Sequence, residues 1–325
     1  MQAEMVKSLI IGHTIGDALG VPVEFKPRHK LNENHVTNMQ GYGTHNQPPG
    51  TWSDDTSMTL CLLESLSRLG RVDYDDIMNN FVSWMYRGEF TASGTVFDIG
   101  ITIRRALVKY APESKLIKKV PALRCGEYKE NSNGNGSLMR IAPMALYLYS
   151  VNGNKLSWND MEIVHNVSRL THAHVRSLIA CGIYVSIAMN LLDGYSLQNS
   201  ISLGVLRACE LYGRHTDYRE ELTSSYSRVL KIDSLPRLHD SEIKSTGYVV
   251  DTLEAVLWCL LNADNYCEAV LKAVNLGNDT DTVGAITGGL AGLAYGWKNI
   301  PPNWKAELKR FDYLESLCDD FDRVF

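Results

Sequence analysis

The sequence predicts an all-α protein, a single compact multi-helix domain over residues 1–325, and three observations carry that expectation. Apolar residues recur at helical spacing almost everywhere; no sustained alternating run between turn signals is visible; clusters of glycine, proline and asparagine cut the chain into helix-length pieces. Met58, Leu62, Leu66 and Leu69 form one stripe, after the breakers Pro48, Pro49 and Gly50. Asn131 to Gly136 reads as a polar, glycine-rich loop and Asn152 to Asn154 as a turn. Leu178, Gly182, Val185 and Met189 make a second stripe, and Val249, Leu253, Val256 and Leu260 a third. Residues 218–245 between them are the most polar and least periodic, which reads as a surface excursion. A last helix, from Val283 to about Tyr295, is lined by Ala285, Gly288, Gly289, Ala291 and Gly292, small residues that permit close helix approach. The expected total is about a dozen helices, with no repeat and no linker that would argue for a boundary.

Composition excludes some functions. With 45% hydrophobic and 21% charged residues the chain is of ordinary globular type. Its net charge of −5 offers no basic field for a polyanionic backbone, so no nucleic-acid partner is expected. Leu9, Ile10 and Ile11 are too brief for a signal-peptide core, and no stretch reads as approaching the roughly 18 apolar residues of a membrane span. No membrane partner is expected. Seven cysteines, odd in number and without a CxxC pair, fit reduced thiols in a cytoplasmic protein.

Two short segments carry carboxylates that packing does not require. Trp52-Ser53-Asp54-Asp55-Thr56 begins one helix, with Ser53 as N-cap and both aspartates in the first turn, where the helix dipole favours their ionised form. Asn278-Asp279-Thr280-Asp281-Thr282 begins another. Capping alone explains either segment taken singly. Each, however, holds two aspartates where one suffices and adds a hydroxyl neighbour, which together make a hard oxygen ligand set. Four such carboxylates brought together would repel unless cations neutralised them, and oxygen-only donors favour Mg²⁺ or Mn²⁺ over Zn²⁺. A third feature is Gly16-Asp17-Ala18-Leu19-Gly20, with Glu24 after Pro22. Asp17 reads either as a solvated helix residue or as the hydrogen-bonded partner of a nearby turn. Glu24, taken alone, reads as a surface charge.

These pieces, with Phe97-Asp98-Ile99-Gly100, Asn135 to Arg140, Thr171-His172 and Gly247 to Thr252, resemble the ADP-ribosylglycohydrolase family in order along the whole chain. The resemblance implies an all-helical domain with two divalent cations, Mg²⁺ or Mn²⁺, in a cleft. It implies that Ser53, Asp54 and Asp55 ligate one ion and Asp279, Asp281 and Thr282 the other, with Asp281 bridging. Ser53 stands where the family often has threonine, and Asn278 where glycine is common. Glu24 matches the acidic residue beside the metals and is the candidate for proton transfer or substrate activation. Asp98 and Gly100 match a loop approaching ribose and phosphates, and Ser132, Asn135 and Gly136 the loop around the nucleotide. His172 matches a ribose contact, against the rival of a structural histidine; Tyr248 reads as an adenine platform or as a packed aromatic.

The implied reaction is hydrolysis at the anomeric carbon of ADP-ribose, through a transition state of oxocarbenium character. The partner is an ADP-ribosylated protein or a small ADP-ribosyl substrate, with arginine slightly favoured as acceptor. The competing expectations are a di-metal phosphoesterase and a non-catalytic ADP-ribose binder of the same fold.

Overall fold

A computed structural model describes residues 3–112 and 118–325. Among them the order is α1 (Ala3–Gly20), α2 (Arg28–Glu33), α3 (Asp54–Leu69), α4 (Tyr74–Arg87), α5 (Ile101–Tyr110), α6 (Ala142–Asn152), α7 (Trp158–Arg169) and α8 (Val175–Leu192). There follow α9 (Leu197–Tyr212), α10 (Thr216–Ser225), α11 (Val249–Leu261), α12 (Tyr266–Asn275), α13 (Thr280–Tyr295), α14 (Pro302–Glu307) and α15 (Phe311–Val324). No β-strand occurs among the described residues, only two isolated bridges, Glu127 with His172 and Gly134 with Tyr248. The all-α expectation holds. The helices exceed a dozen because α2 and α14, six residues each, are too short to leave a periodic signature.

At the centre α1 lies against α13, and both are buried along most of their length. The contact is a seam of backbone on backbone. A Cβ on Gly16 would lie 2.0 Å from the carbonyl oxygen of Gly284, and one on Gly288 would lie 2.3 Å from that of Gly12. Only glycine lets the two axes come this close. α3 and α15 pack on the same α1, and α12 and α11 on α13, so the seam joins the beginning of the chain to its last quarter.

One sequence expectation fails here. α8 has 18 residues and a mean hydropathy of 1.7, long and apolar enough to cross a membrane. It is apolar all round because helices surround it: α6, α7, α9, α10 and α11 all pack on it, leaving 89% of its residues buried. Residues 218–245 do run over the surface, but they are anchored. Leu222, Tyr226, Val229, Leu235 and Ile243 are buried, and the Ser245 hydroxyl donates to the carbonyls of Leu276 and Gly277 at 3.2 and 2.7 Å. The seven cysteines are all unpaired, five of them buried.

Candidate active site

Asp17, in the last turn of α1, is fully buried and resolves the choice left open by the sequence. Its carboxylate accepts from the Ser53 N–H at 3.0 Å, the Thr56 N–H at 3.0 Å and the Thr56 hydroxyl at 2.6 Å. α3 is thus capped twice, by its own Ser53 and by a carboxylate from another helix, which satisfies donors that its first turn would leave orphaned. Burial pushes the Asp17 carboxyl up to about 6 against those hydrogen bonds, which favour the charge. This tether presents Asp54 and Asp55.

The second acidic segment arrives on the other side of the seam. α13 begins at Thr280, three residues before the apolar pattern does, with Asp279 as its N-cap residue. Asp279 makes no side-chain cap bond; its Oδ2 instead accepts from the Asn135 amide at 2.8 Å. The two segments meet. The Thr282 hydroxyl donates to Asp55 Oδ2 at 3.3 Å, across 227 positions of chain. Carboxylate oxygens of Glu24, Asp279 and Asp281 lie within 4.8 Å of one another.

Such a cluster is unstable as protein alone. Asp55 Oδ1 and Asp281 Oδ2 are buried and have no hydrogen-bond partner among the described residues. Burial first, and then repulsion from neighbouring carboxylates, pushes Asp54, Asp55 and Asp281 well above the ordinary carboxylate range. Burial and mutual repulsion thus oppose the ionised form that the helix dipole favours at Asp54 and Asp55. Hard oxygen donors, unpartnered lone pairs and mutual repulsion are together what a divalent-cation site offers, so the residues fit that role.

Around them is a cavity of about 260 Å³ lined by Glu24, Asp54, Asp55, Asp98, Asp279 and Thr282, with Gly100, Asn135, Gly136 and His172 on its other walls. No lysine or arginine among the described residues lines it. Asp281 and Ser53 are buried beside it, and the Ser53 hydroxyl is taken up by Asp55 Oδ2 at 3.2 Å. Glu24 is only 4% exposed, so the surface-charge reading of it is corrected: the turn Val21–Val23 folds the chain back beneath α13. Its carboxyl is pushed up to about 7, by burial first and by Asp98 and Asp279 after that, with His45 opposing. Asp98 is raised as well, again chiefly by burial.

His172 faces the same cavity. Arg140 donates to the Thr171 hydroxyl at 2.8 Å, and that hydroxyl lies 2.8 Å from His172 Nδ1. Nδ1 is the one acceptor among the described residues within hydrogen-bond reach of that hydroxyl's proton, so the hydroxyl donates to Nδ1, and the proton of the neutral ring sits on Nε2. Burial lowers this histidine to about 3, and Arg140 adds to the effect. Two candidates stand elsewhere. Ser132 is buried in the loop before Asn135 but does not line the cavity. Tyr248 turns its ring toward Arg176, 5.7 Å from the guanidinium carbon, and lines a separate depression with Lys244 and Asp251. The backbone on either side of it nevertheless serves the site, because Asn135 N–H donates to Gly247 O at 3.0 Å and Val249 N–H to Asn133 O at 3.0 Å.

Sequence reasoning missed His45. Its Nε2 is in hydrogen-bond contact with Glu24 Oε2, and Glu24, His45 and Asp98 offer atoms within 4.8 Å of one another. A lone histidine in a loop carries no spacing signal that could have found it.

An all-helical body with paired acidic helix starts meeting in one cleft defines a class, and the comparisons agree: the chain belongs to the ADP-ribosylglycohydrolase family, whose profile matches residues 2–325. It is similar to an ADP-ribosylarginine hydrolase, Tri1, of Serratia proteamaculans, at 35% identity over 97% of this chain and 78% of that one. It is also similar to the ADP-ribosyl-[dinitrogen reductase] glycohydrolase of Rhodospirillum rubrum, at 29% identity over 92% and 88%. A solved structure described as an ADP-ribosylglycohydrolase-related protein complex superimposes with a TM-score of 0.76, at 30% identity over 99% and 98% of the two chains.

Proposed function

We propose that this chain, acting as one domain, hydrolyses the glycosidic bond between ADP-ribose and an acceptor side chain, with arginine favoured, using two divalent cations, Mg²⁺ or Mn²⁺. One observation carries the reading: two acidic helix starts, far apart in sequence, share a hydrogen bond and leave buried carboxylate oxygens unpartnered. Asp54 and Asp55, with Ser53, would hold one ion; Asp279, Asp281 and Thr282 the other. When bound, the cations neutralise the cluster and polarise the ribose hydroxyls. Arginine is supported by the kinship with ADP-ribosylarginine hydrolases. A reducing, cytoplasmic setting is supported by the seven unpaired thiols.

The protein's own groups do the rest. Water adds its hydroxyl to the anomeric carbon while its proton goes to the departing nitrogen, and Glu24 is the carrier. His172, neutral with its proton on Nε2, donates to a ribose oxygen. With no cationic side chain in the lining, the pyrophosphate is received by the Gly136 N–H and by the first-turn N–H groups of α5 that follow Gly100.

The test follows release of free ADP-ribose from arginine-linked and serine-linked ADP-ribosyl peptides, with each metal in turn. Release should be faster from the arginine peptide, stop on chelation and return with Mg²⁺ or Mn²⁺. Asp55→Ala and Asp281→Ala should lose turnover and metal binding together. Glu24→Gln should lose about 10²–10⁴-fold in turnover while keeping metal. Turnover of the serine peptide alone would overturn the acceptor; full activity after chelation and dialysis would overturn the metals.

A further inference from the structure

His45 reaches the site on a clamp made from residues 42–47. The Tyr42 N–H donates to Gln47 O at 2.7 Å and the Asn46 N–H to Gly43 O at 3.1 Å, so this stretch doubles back on itself. It rests on the segment carrying Glu24: the Thr44 N–H donates to Pro22 O at 3.0 Å, and the Thr44 hydroxyl to Glu24 O at 2.7 Å. A Cβ on Gly43 would lie 1.7 Å from Pro22 O, so the clamp can seat only with glycine there. The imidazole then touches the Glu24 carboxylate and sits between two rings, 6.0 Å from Phe25 and 5.3 Å from Phe97, the neighbours of Glu24 and Asp98 in sequence. No other side chain among the described residues hydrogen-bonds the Glu24 carboxylate.

We propose that His45 is a positioning residue for the hydrolysis: it holds one Glu24 oxygen, so that the other is presented at a fixed angle in the cleft. The proposal rests on Glu24 being the proton carrier. A glutamate has three side-chain torsions, and without a partner its carboxylate swings. A displacement of about 1 Å in a reacting group is worth about 10²-fold in rate.

Four variants test this with the full chain, an arginine-linked peptide and Mn²⁺. His45→Ala and His45→Phe should each lower kcat by about 100-fold, with KM and the Mn²⁺ dissociation constant nearly unchanged. His45→Phe keeps the tilted ring contacts with Phe25 and Phe97 and loses the hydrogen bond to Glu24, so it separates packing from hydrogen bonding. His45→Gln, which restores an N–H donor, should recover much of the loss. In a Glu24→Gln background His45→Ala should cost nothing further, because the two act as one unit. A wild-type kcat in His45→Phe, a loss of Mn²⁺ affinity in step with kcat, or independent multiplicative losses would each overturn the proposal. Wild-type turnover in Glu24→Gln alone would instead remove the proton carrier, and with it the ground on which His45 acts.

Discussion

Gly16→Ala adds one methyl group at the point where α1 meets α13. That carbon would lie 2.0 Å from Gly284 O and 2.4 Å from Gly284 C, both backbone atoms within a helix. Carbon and oxygen approach to about 3.3 Å at closest, so the two helices must part by about 1 Å. Overpacking of this kind costs about 1–3 kcal/mol, and the gain in helix propensity from glycine to alanine offsets about 1 kcal/mol of it. Because the clash is with backbone and the helices touch along their length, a net loss of about 2 kcal/mol is expected. At about 2–4 °C per kcal/mol for a chain this large, calorimetry should find Tm lower by about 4–8 °C. The displacement also carries Asp17, the next residue, away from Asp281, one turn before Gly284. Mn²⁺ affinity measured by titration calorimetry should therefore fall at least tenfold, as it does when the groups supporting metal ligands move. Gly289→Ala is the internal control, since its methyl meets side chains and no backbone: the ends of Leu9 and Tyr184, each at 3.2 Å, and His13 Cβ at an ordinary 3.5 Å. It should stay within about 1 kcal/mol of wild type. Wild-type Tm and Mn²⁺ affinity in Gly16→Ala, or equal damage from Gly289→Ala, would refute the account of the seam.

Asp17→Asn turns an acceptor that receives Ser53 and Thr56 into a partial donor facing donors. It should lower stability in urea by about 2–3 kcal/mol, and Mn²⁺ affinity by about 10–100-fold; an unchanged urea midpoint would remove Asp17 as the tether of α3. A second expectation concerns pH. Glu24 at about 7 and Asp17 at about 6 both lie above their unfolded values, so without cations the folded state binds more protons than the unfolded one. Stability then falls as pH rises from about 4 through 7. For Glu24 alone the rise corresponds to about 3 kcal/mol. Chelated protein should melt lower at about pH 7.5 than at about pH 5.5, and saturating Mn²⁺ should abolish that slope. A flat melting profile in the chelated protein counts against the burial of these charges.

Much of this was legible where one residue type repeats at one spacing. The stripes of α3, α8 and α11 read directly as helices because burial on one side leaves an apolar period. The two acidic helix starts stood out because capping needs one carboxylate and each offers two. What stayed hidden depends on distance across the fold. Asp17 reads locally as an ordinary helix residue; only the approach of α3 makes it a cap. Glu24 read as surface charge because nothing nearby announces that α13 will cover it. α8 carries a stripe like any packed helix, and its membrane-like apolarity comes from the remaining faces, which are buried by the helices around it. Tyr248 and Ser132 sit in the right segments, yet side-chain direction at a loop or helix start follows no period, and neither lines the cleft.

The glycine seam has a consequence for how the protein is made. A chain still lacking α13 has Asp54 and Asp55 but none of Asp279, Asp281 and Thr282, so the proposed second set of ligands exists only once α13 has been made. Divalent ions, bound as proposed, would thus act as a latch that draws α1 and α13 together. At a thousandfold excess over the dissociation constant that latch is worth about 4 kcal/mol, a large share of the roughly 5–15 kcal/mol by which domains are stable. Metal supply in the cell would then govern how long each molecule survives as well as how fast it works.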